Sequence, residues 1–191
     1  KKKKKEYYRP FVGWSKEQFS WAGSFVTSKP DKPGDLFHIN SVVVVDDILY
    51  IMMCNASHVN TSIQRKSQIL ALNLKTREVE KLYTPDAKNA HGLYVNGKEF
   101  GILDTRRRRV LLGDDVISKT SWNKKAWLRG IAGDEKDIVV GVSSHKKDRE
   151  KRGKGDANLV SISNRKISNQ YTVKDIGAIN DIKRIDGFFF F

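Results

Sequence analysis

The stretch AHGLYVNGKEFGILDT, Ala90 to Thr105, decides the fold. Two apolar runs flank the pair Asn96-Gly97. Asn-Gly in such a place is a strong hairpin signal, because both central residues of a type I′ turn need positive φ. The pattern recurs. HINSVVVVDDILYIMM from His38, LRGIAGDEKDIVVGV from Leu128 and INDIKRIDGFFFF from Ile179 each have a polar entry, an apolar run, a turn pair and a second apolar run. The turn pairs are Asp46-Asp47, Asn96-Gly97, Asp134-Glu135 and Asp186-Gly187.

Two further strand-like runs follow each of the first three hairpins. They are SQILALNL and EVEKLYT, then RRVLLG and VISKTSW, then ANLVSIS and KISNQYTV. Four strands per unit, at roughly the 40–50 residue period of a propeller blade, predict an all-β chain of four-stranded antiparallel blades. About four repeats are recognisable, either as a closed small β-propeller or as part of a larger, six-bladed one. No segment sustains a 3.6-residue apolar period between caps, and no strands alternate with helices, which argues against a βαβ protein. The expected division is a basic tail with blade-closing strands over residues 1–37 and propeller repeats over residues 38–191.

In a propeller the innermost strands of successive blades begin around one axis, so the unit entries become neighbours. The entries are His38 and Asn40, His91, Arg129, and Asn180 with Asp181. Two imidazoles, a guanidinium, two amides and a carboxylate would form a polar ring, the expected ligand-binding site. Two readings stand side by side: a ligand pocket, or polar groups that cap turns and bridge waters between blades. A divalent metal ion stays open as a ligand of the ring. Asp181 is its sole carboxylate, however, and Arg129 would repel a cation while suiting an anion held bidentately.

Other chemistry is thinly represented. Cys54 reads as a small buried hydrophobe in a second strand, and Ser143, Ser144 and His145 are adjacent without forming a triad on that ground. No phosphate-cradling loop or dinucleotide fingerprint occurs. The four tryptophans, Trp14, Trp21, Trp122 and Trp127, read as packing between sheets, with sugar stacking as the functional alternative.

The chain of 191 residues carries a formal charge of +14, from 36 Lys and Arg against 22 Asp and Glu. Much of the excess lies in KKKKK at the start, in Arg106 to Arg109, and in HKKDREKRGKGD from His145. Such runs are usually solvated loops; the functional alternative is polyanion contact through Arg106, Arg107, Arg108, Arg109, Lys146 and Lys147. On a strand only two of the four arginines would share a face. No apolar run approaches the ~20 residues of a membrane helix. A single cysteine excludes an internal disulfide, and with no signal-peptide pattern this favours the cytoplasm.

The residues also resemble a family. HINSVVVVDDILYIM, AHGLYVNGKEFGILDT, WLRGIAGDEKDIVVGVSSHKK and INDIKRIDG, in that order, look like an uncharacterised bacterial β-propeller family related in pattern to six-bladed NHL and strictosidine-synthase-like propellers. The resemblance runs from Phe37 to Gly187. It implies a fold and a channel-mouth pocket without a known reaction. Members of that family carry further blades, so another chain completing the propeller is one expectation.

Three functions follow from these residues. The first is a propeller whose polar central pocket binds a small anionic or carbohydrate-like ligand. The second is a lyase or hydrolase using the same ring, with His91 or His38 as general base and Arg129 as anion clamp. The third is a protein whose basic surface binds nucleic acid or an anionic glycan.

Overall fold

The computed structural model describes residues 37–55, 67–118, 126–134, 136–144, 153–185 and 188–190. These residues contain no α-helix. None, therefore, is long and apolar enough to cross a membrane.

The chain forms three four-stranded antiparallel sheets, each laid out in chain order. The first holds β1 (Phe37–Val45), β2 (Ile48–Asn55), β3 (Ser67–Asn73) and β4 (Val79–Tyr83). The second holds β5 (Ala90–Asn96), β6 (Glu99–Asp104), β7 (Arg109–Leu112) and β8 (Asp115–Ser118). The third holds β9 (Ala126–Gly133), β10 (Asp137–Ser144), β11 (Ala157–Ser163) and β12 (Lys166–Val173). A two-stranded hairpin follows, β13 (Lys183–Ile185) with β14 (Phe188–Phe190). The apolar runs quoted from HINSVVVV through KISNQYTV each carry a strand among the described residues.

Alternation along the strands decides what packs on what. Met52 and Ile69 of the first sheet meet Leu93, Val95, Ile102 and Leu111 of the second. Leu103, Val110 and Leu112 point the other way and meet Leu128, Val140, Val142 and Val160 of the third. Ile102 and Leu103 are neighbours in β6, so the period of two sends one to each side and stacks the sheets face to face. The third sheet in turn covers Ile179 and Ile182 through Ala132, Val139 and Ala157. Burying a leucine such as Leu103 contributes about 2 kcal/mol.

The same alternation divides SVVVV between two faces. Val43 and Val45 pack against the first inter-sheet core. Val42 and Val44 are 60% and 56% exposed. A run of four valines looks uniformly buried in sequence, yet a strand with one covered face buries only every second one.

Turn chemistry differs from expectation at two hairpins. Asn96 pairs with Glu99, so the second turn is Gly97-Lys98, with Gly97 supplying the positive φ of 55°. At the third hairpin the Asp134 amide donates to Asp137 O at 2.9 Å, and Asp134 Oδ1 accepts the amides of Lys136 and Asp137, both at 2.9 Å. The two-residue turn with positive φ at both positions is Asn164-Arg165, at 49° and 60°. From it the Arg165 guanidinium reaches the second sheet, donating to Leu112 O, Asp115 and Glu99 at 2.8 to 2.9 Å.

The arginine run is a turn rather than a strand. Residues 105–108 form the β6–β7 connection and only Arg109 enters β7. The cause is Asp104, fully buried, whose carboxylate accepts the amides of Lys88 and Arg107 at 3.2 Å. It also receives Arg109 Nε at 2.9 Å and Arg107 Nη1 at 3.3 Å. Both arginines bind Asp86 as well. A buried carboxylate demands such partners, and they fold the basic run back on itself.

Several readings lie outside the described residues: the tail through residue 36, Trp14, Trp21 and Trp122, His145, Lys146 and Lys147, and the turn pair Asp186-Gly187. The side chains of His38 and Cys54 lie outside them too.

Candidate functional site

The first strands carry a bulge at one shared position. The ladder skips Asn40 in β1, Gly92 in β5 and Gly130 in β9. Gly92 and Gly130 have φ of 69° and 73°. A Cβ on Gly130 would lie 2.8 Å from the carbonyl carbon of Asp181, so the next segment packs directly against this backbone. The bulge aims the preceding residue of each strand away from the ladder. Those residues are Ile39, His91 and Arg129, and matching the INDI of the fourth unit to RGI and HGL adds Asn180.

Three of these four equivalents meet in a hydrogen-bonded row. Arg129 Nη1 donates to Asn180 Oδ1 at 3.0 Å, and Arg129 Nη2 lies 3.3 Å from His91 Nε2. A guanidinium has no lone pair to offer, so the imidazole Nε2 accepts. The proton then sits on Nδ1, which donates to Asn89 O at 3.0 Å and lies 3.2 Å from Thr105 Oγ1. The Thr105 hydroxyl spends its own proton on Leu128 O at 2.8 Å, leaving its oxygen to face the ring. His91 is thereby a neutral acceptor for Arg129.

Trp127, two residues before Arg129 on β9, completes the row. The guanidinium carbon lies 4.0 Å from the centre of the indole, and the His91 ring meets that indole edge-on at 6.3 Å and 83°. A cavity of about 530 Å³ opens here, walled by Trp127, Arg129, Ser143, Ile176, Ala178 and Asn180. A second opening, about 790 Å³, runs along the first strands of the three sheets and residues 180–184.

Other expected ring members play different parts. Asn40 donates through Nδ2 to Ala90 O at 2.6 Å, tying the first sheet to the second. Asp181 accepts the amide of Ile182 at 3.0 Å and lines the second opening rather than the row. His38 stands one position before the equivalent of His91, which is Ile39. The bulge marks the equivalent positions, and turn pairs alone do not reveal where it falls in each strand.

Of two buried hydroxyls, Thr105 escaped the sequence reading and Ser143 was weighed there only as a possible triad member. Thr105 and Ser143 occupy the same place, just past the second strand's partner of the unit entry. Thr105 donates to Leu128 O, and Ser143 accepts the amide of Ile179 at 2.9 Å. Each fastens its unit to the opening of the next. The signal was present as a hydroxyl at one offset in two units. Among the described residues no three His, Cys, Asp or Glu side chains converge as a metal site.

No known protein family and no curated protein matches the sequence of this chain. Solved structures match it in fold. One is an acylaminoacyl peptidase from Pyrococcus horikoshii, with a TM-score of 0.50 at 10% identity over 72% of this chain and 25% of that one. The likeness is one of fold, and the matched part is roughly a quarter of the peptidase chain.

Proposed function

We propose that the chain is an arc of β-propeller blades, kin to the NHL-like family its motifs resemble, and that it binds a small anionic or glycan-like ligand in the pocket beside Arg129. Support for the blades comes from three sheets of identical strand order stacked in sequence, followed by a two-stranded hairpin. Completion of the ring by another chain belongs to the same proposal.

The observation that carries the binding reading is the row itself. A cation is stacked on Trp127, fixed at Nη1 and Nη2 by Asn180 and His91, and set in the wall of a cavity of about 530 Å³. Pockets for small molecules have this size and this mix of an apolar wall with a few placed polar groups. Restraint of the guanidinium lowers the ordering penalty on binding.

The hydrolase or lyase reading has less support. A general base needs a lone pair within reach of the substrate, and the Nε2 lone pair of His91 is directed at Arg129. The polyanion reading is weakened at Arg107 and Arg109, whose charges are engaged by Asp86 and Asp104.

The test is a fragment titration followed by heteronuclear NMR, using small organic anions and short glycans. Binding at the pocket moves the Trp127 indole resonance, and Arg129→Gln abolishes the shift. Responses confined to the basic segments, with steep salt dependence, would favour the polyanion reading instead.

A further inference from the structure

We infer that the end of the sheet stack where the first strands begin is a docking face for single-stranded nucleic acid, held by its phosphate backbone at the β6–β7 turn. This is independent of the pocket reading above.

Antiparallel sheets laid out in chain order send their connections alternately to two ends. Contacts between the sheets bring like ends together. Asn40 of β1 donates to Ala90 O at the start of β5, Thr105 after β6 donates to Leu128 O in β9, and Ser143 of β10 accepts the amide of Ile179. At the opposite end Arg165, in the β11–β12 turn, reaches Glu99 and Asp115 beside the turns of the second sheet. The connections 56–66, 84–89, 105–108, 119–125, 145–156 and 174–182 therefore leave from the first end. The hairpin turns 46–47, 74–78, 97–98, 113–114, 134–136, 164–165 and 186–187 leave from the second.

Charge is divided unequally between the two ends. The connections of the first carry sixteen Lys and Arg against six Asp and Glu, a net +10, and those of the second carry five against seven, a net −2. Ion pairing within one end leaves these totals unchanged. Residues 1–36, which join β1 at the first end, hold nine Lys and Arg against four acids and supply no counterweight. Such a difference steers a polyanion to one end and repels it from the other.

The β6–β7 turn offers the contact. Arg107 and Arg109 are engaged by Asp86 and Asp104, so these four charges cancel. Among the described residues no acidic side chain pairs with Lys88, Arg106 or Arg108. The Arg106 amide donates to Lys88 O at 3.3 Å, which brings the three cations to one turn, and Arg106 is exposed. Guanidinium forks match the oxygens of a phosphate. In sequence, the connection 119–125 sets Trp122 between Lys119 and Lys124, the mix of aromatic and cation on which single strands are held. A membrane face would present several large apolar side chains; in the described connections of this end Ile176 is the one that is exposed.

Fluorescence anisotropy on the whole chain tests this with a labelled oligouridylate. It is expected to bind at least tenfold more tightly than chondroitin sulfate of equal charge, and phosphatidylserine vesicles should not displace it. Binding should weaken at least tenfold between about 50 and 200 mM salt, the loss that about three phosphate contacts imply. Arg106→Glu with Arg108→Glu should weaken it at least tenfold while leaving the melting temperature close to that of the parent. Lys98→Glu with Lys136→Glu, two exposed positions at the other end, makes the same change in net charge and should weaken it less than threefold. Equal losses in the two variants would mean that net charge alone drives binding, and overturn the docking face. No binding at the lower salt, or tighter binding of chondroitin sulfate or vesicles, overturns it as well. If the glutamate pair at the turn fails to fold, Arg106→Gln with Arg108→Gln takes its place, and unchanged affinity in that variant contradicts the inference.

Discussion

Arg129 and Asn180 are 51 residues apart in the chain and share a hydrogen bond of 3.0 Å from Nη1 to Oδ1. They occupy the same position in successive units, each just ahead of a closely packed backbone. Their contact follows from repetition of one register. Close approach at that register is what the bulge glycines permit.

Gly130 is the sharpest test of that geometry. Alanine there would carry φ of 73° and place its Cβ 2.8 Å from the Asp181 carbonyl carbon and 2.9 Å from the Ile182 amide nitrogen, both backbone atoms. We expect Gly130→Ala to destabilise the fold by roughly 3 kcal/mol from strain and overlap together. Gly97→Ala has φ of 55° but nothing within 4 Å, and should lose about 1 kcal/mol. Urea unfolding of the two variants checks the contrast; equal losses would mean that the third sheet and the following segment do not meet at Gly130.

Asp104 holds the arginine turn. Asp104→Ala leaves Arg107 and Arg109 without their buried partner and the Lys88 and Arg107 amides without an acceptor. The expected loss is about 3 kcal/mol, read from chemical denaturation. A loss below about 0.5 kcal/mol, the range of an ordinary surface change, would contradict this role.

The apolar repeat was legible in the sequence because strands keep a period of two and turn residues interrupt it. Every strand pair read from SQILALNL through KISNQYTV is present. What escaped was whatever shifts a strand by one. Matching the bulges at Asn40 and Gly92 aligns Ile39 rather than His38 with His91, and Gly97 moves its turn one residue along. A one-residue slip swaps faces without altering composition, so counting from turns cannot detect it. The arginine run misled for another reason: a buried carboxylate sits just ahead of it, and burial of Asp104 has no local signature.

The valine alternation gives a paired test. Val43→Asp puts a carboxylate against the core between the first two sheets and should lose roughly 2 kcal/mol or more. Val44→Asp, at a position 56% exposed, should change stability by less than about 0.5 kcal/mol. Thermal melts of both variants decide it, and the reverse order would place β1 in the opposite face register.

Asp134 makes a prediction in acid. Backbone amides of Asp137 and Lys136, followed by the Arg184 guanidinium, lower its carboxyl from 3.8 to about 2. A depressed folded-state value means that its contribution is complete above the unfolded pKa and fades as pH falls towards the folded one. The stability difference between the parent and Asp134→Ala should therefore hold near neutrality and shrink from about pH 4 down to about pH 2. Carboxyl-carbon NMR should show Asp134 titrating near 2. Titration at 3.8 with a pH-independent difference would remove the turn and its arginine from the account.

The tautomer of His91 tests the central row most directly. If Arg129 donates to Nε2, the imidazole must carry its proton on Nδ1, facing Asn89 O and Thr105. Long-range nitrogen–proton correlation on the labelled protein near neutral pH reads this without any ligand. The account predicts a bare Nε2 and a protonated Nδ1 at His91, reverting towards the free-imidazole pattern in Arg129→Gln. A protonated Nε2 in the parent protein would mean that Arg129 is not held there, and the row joining His91, Arg129 and Asn180 would not exist.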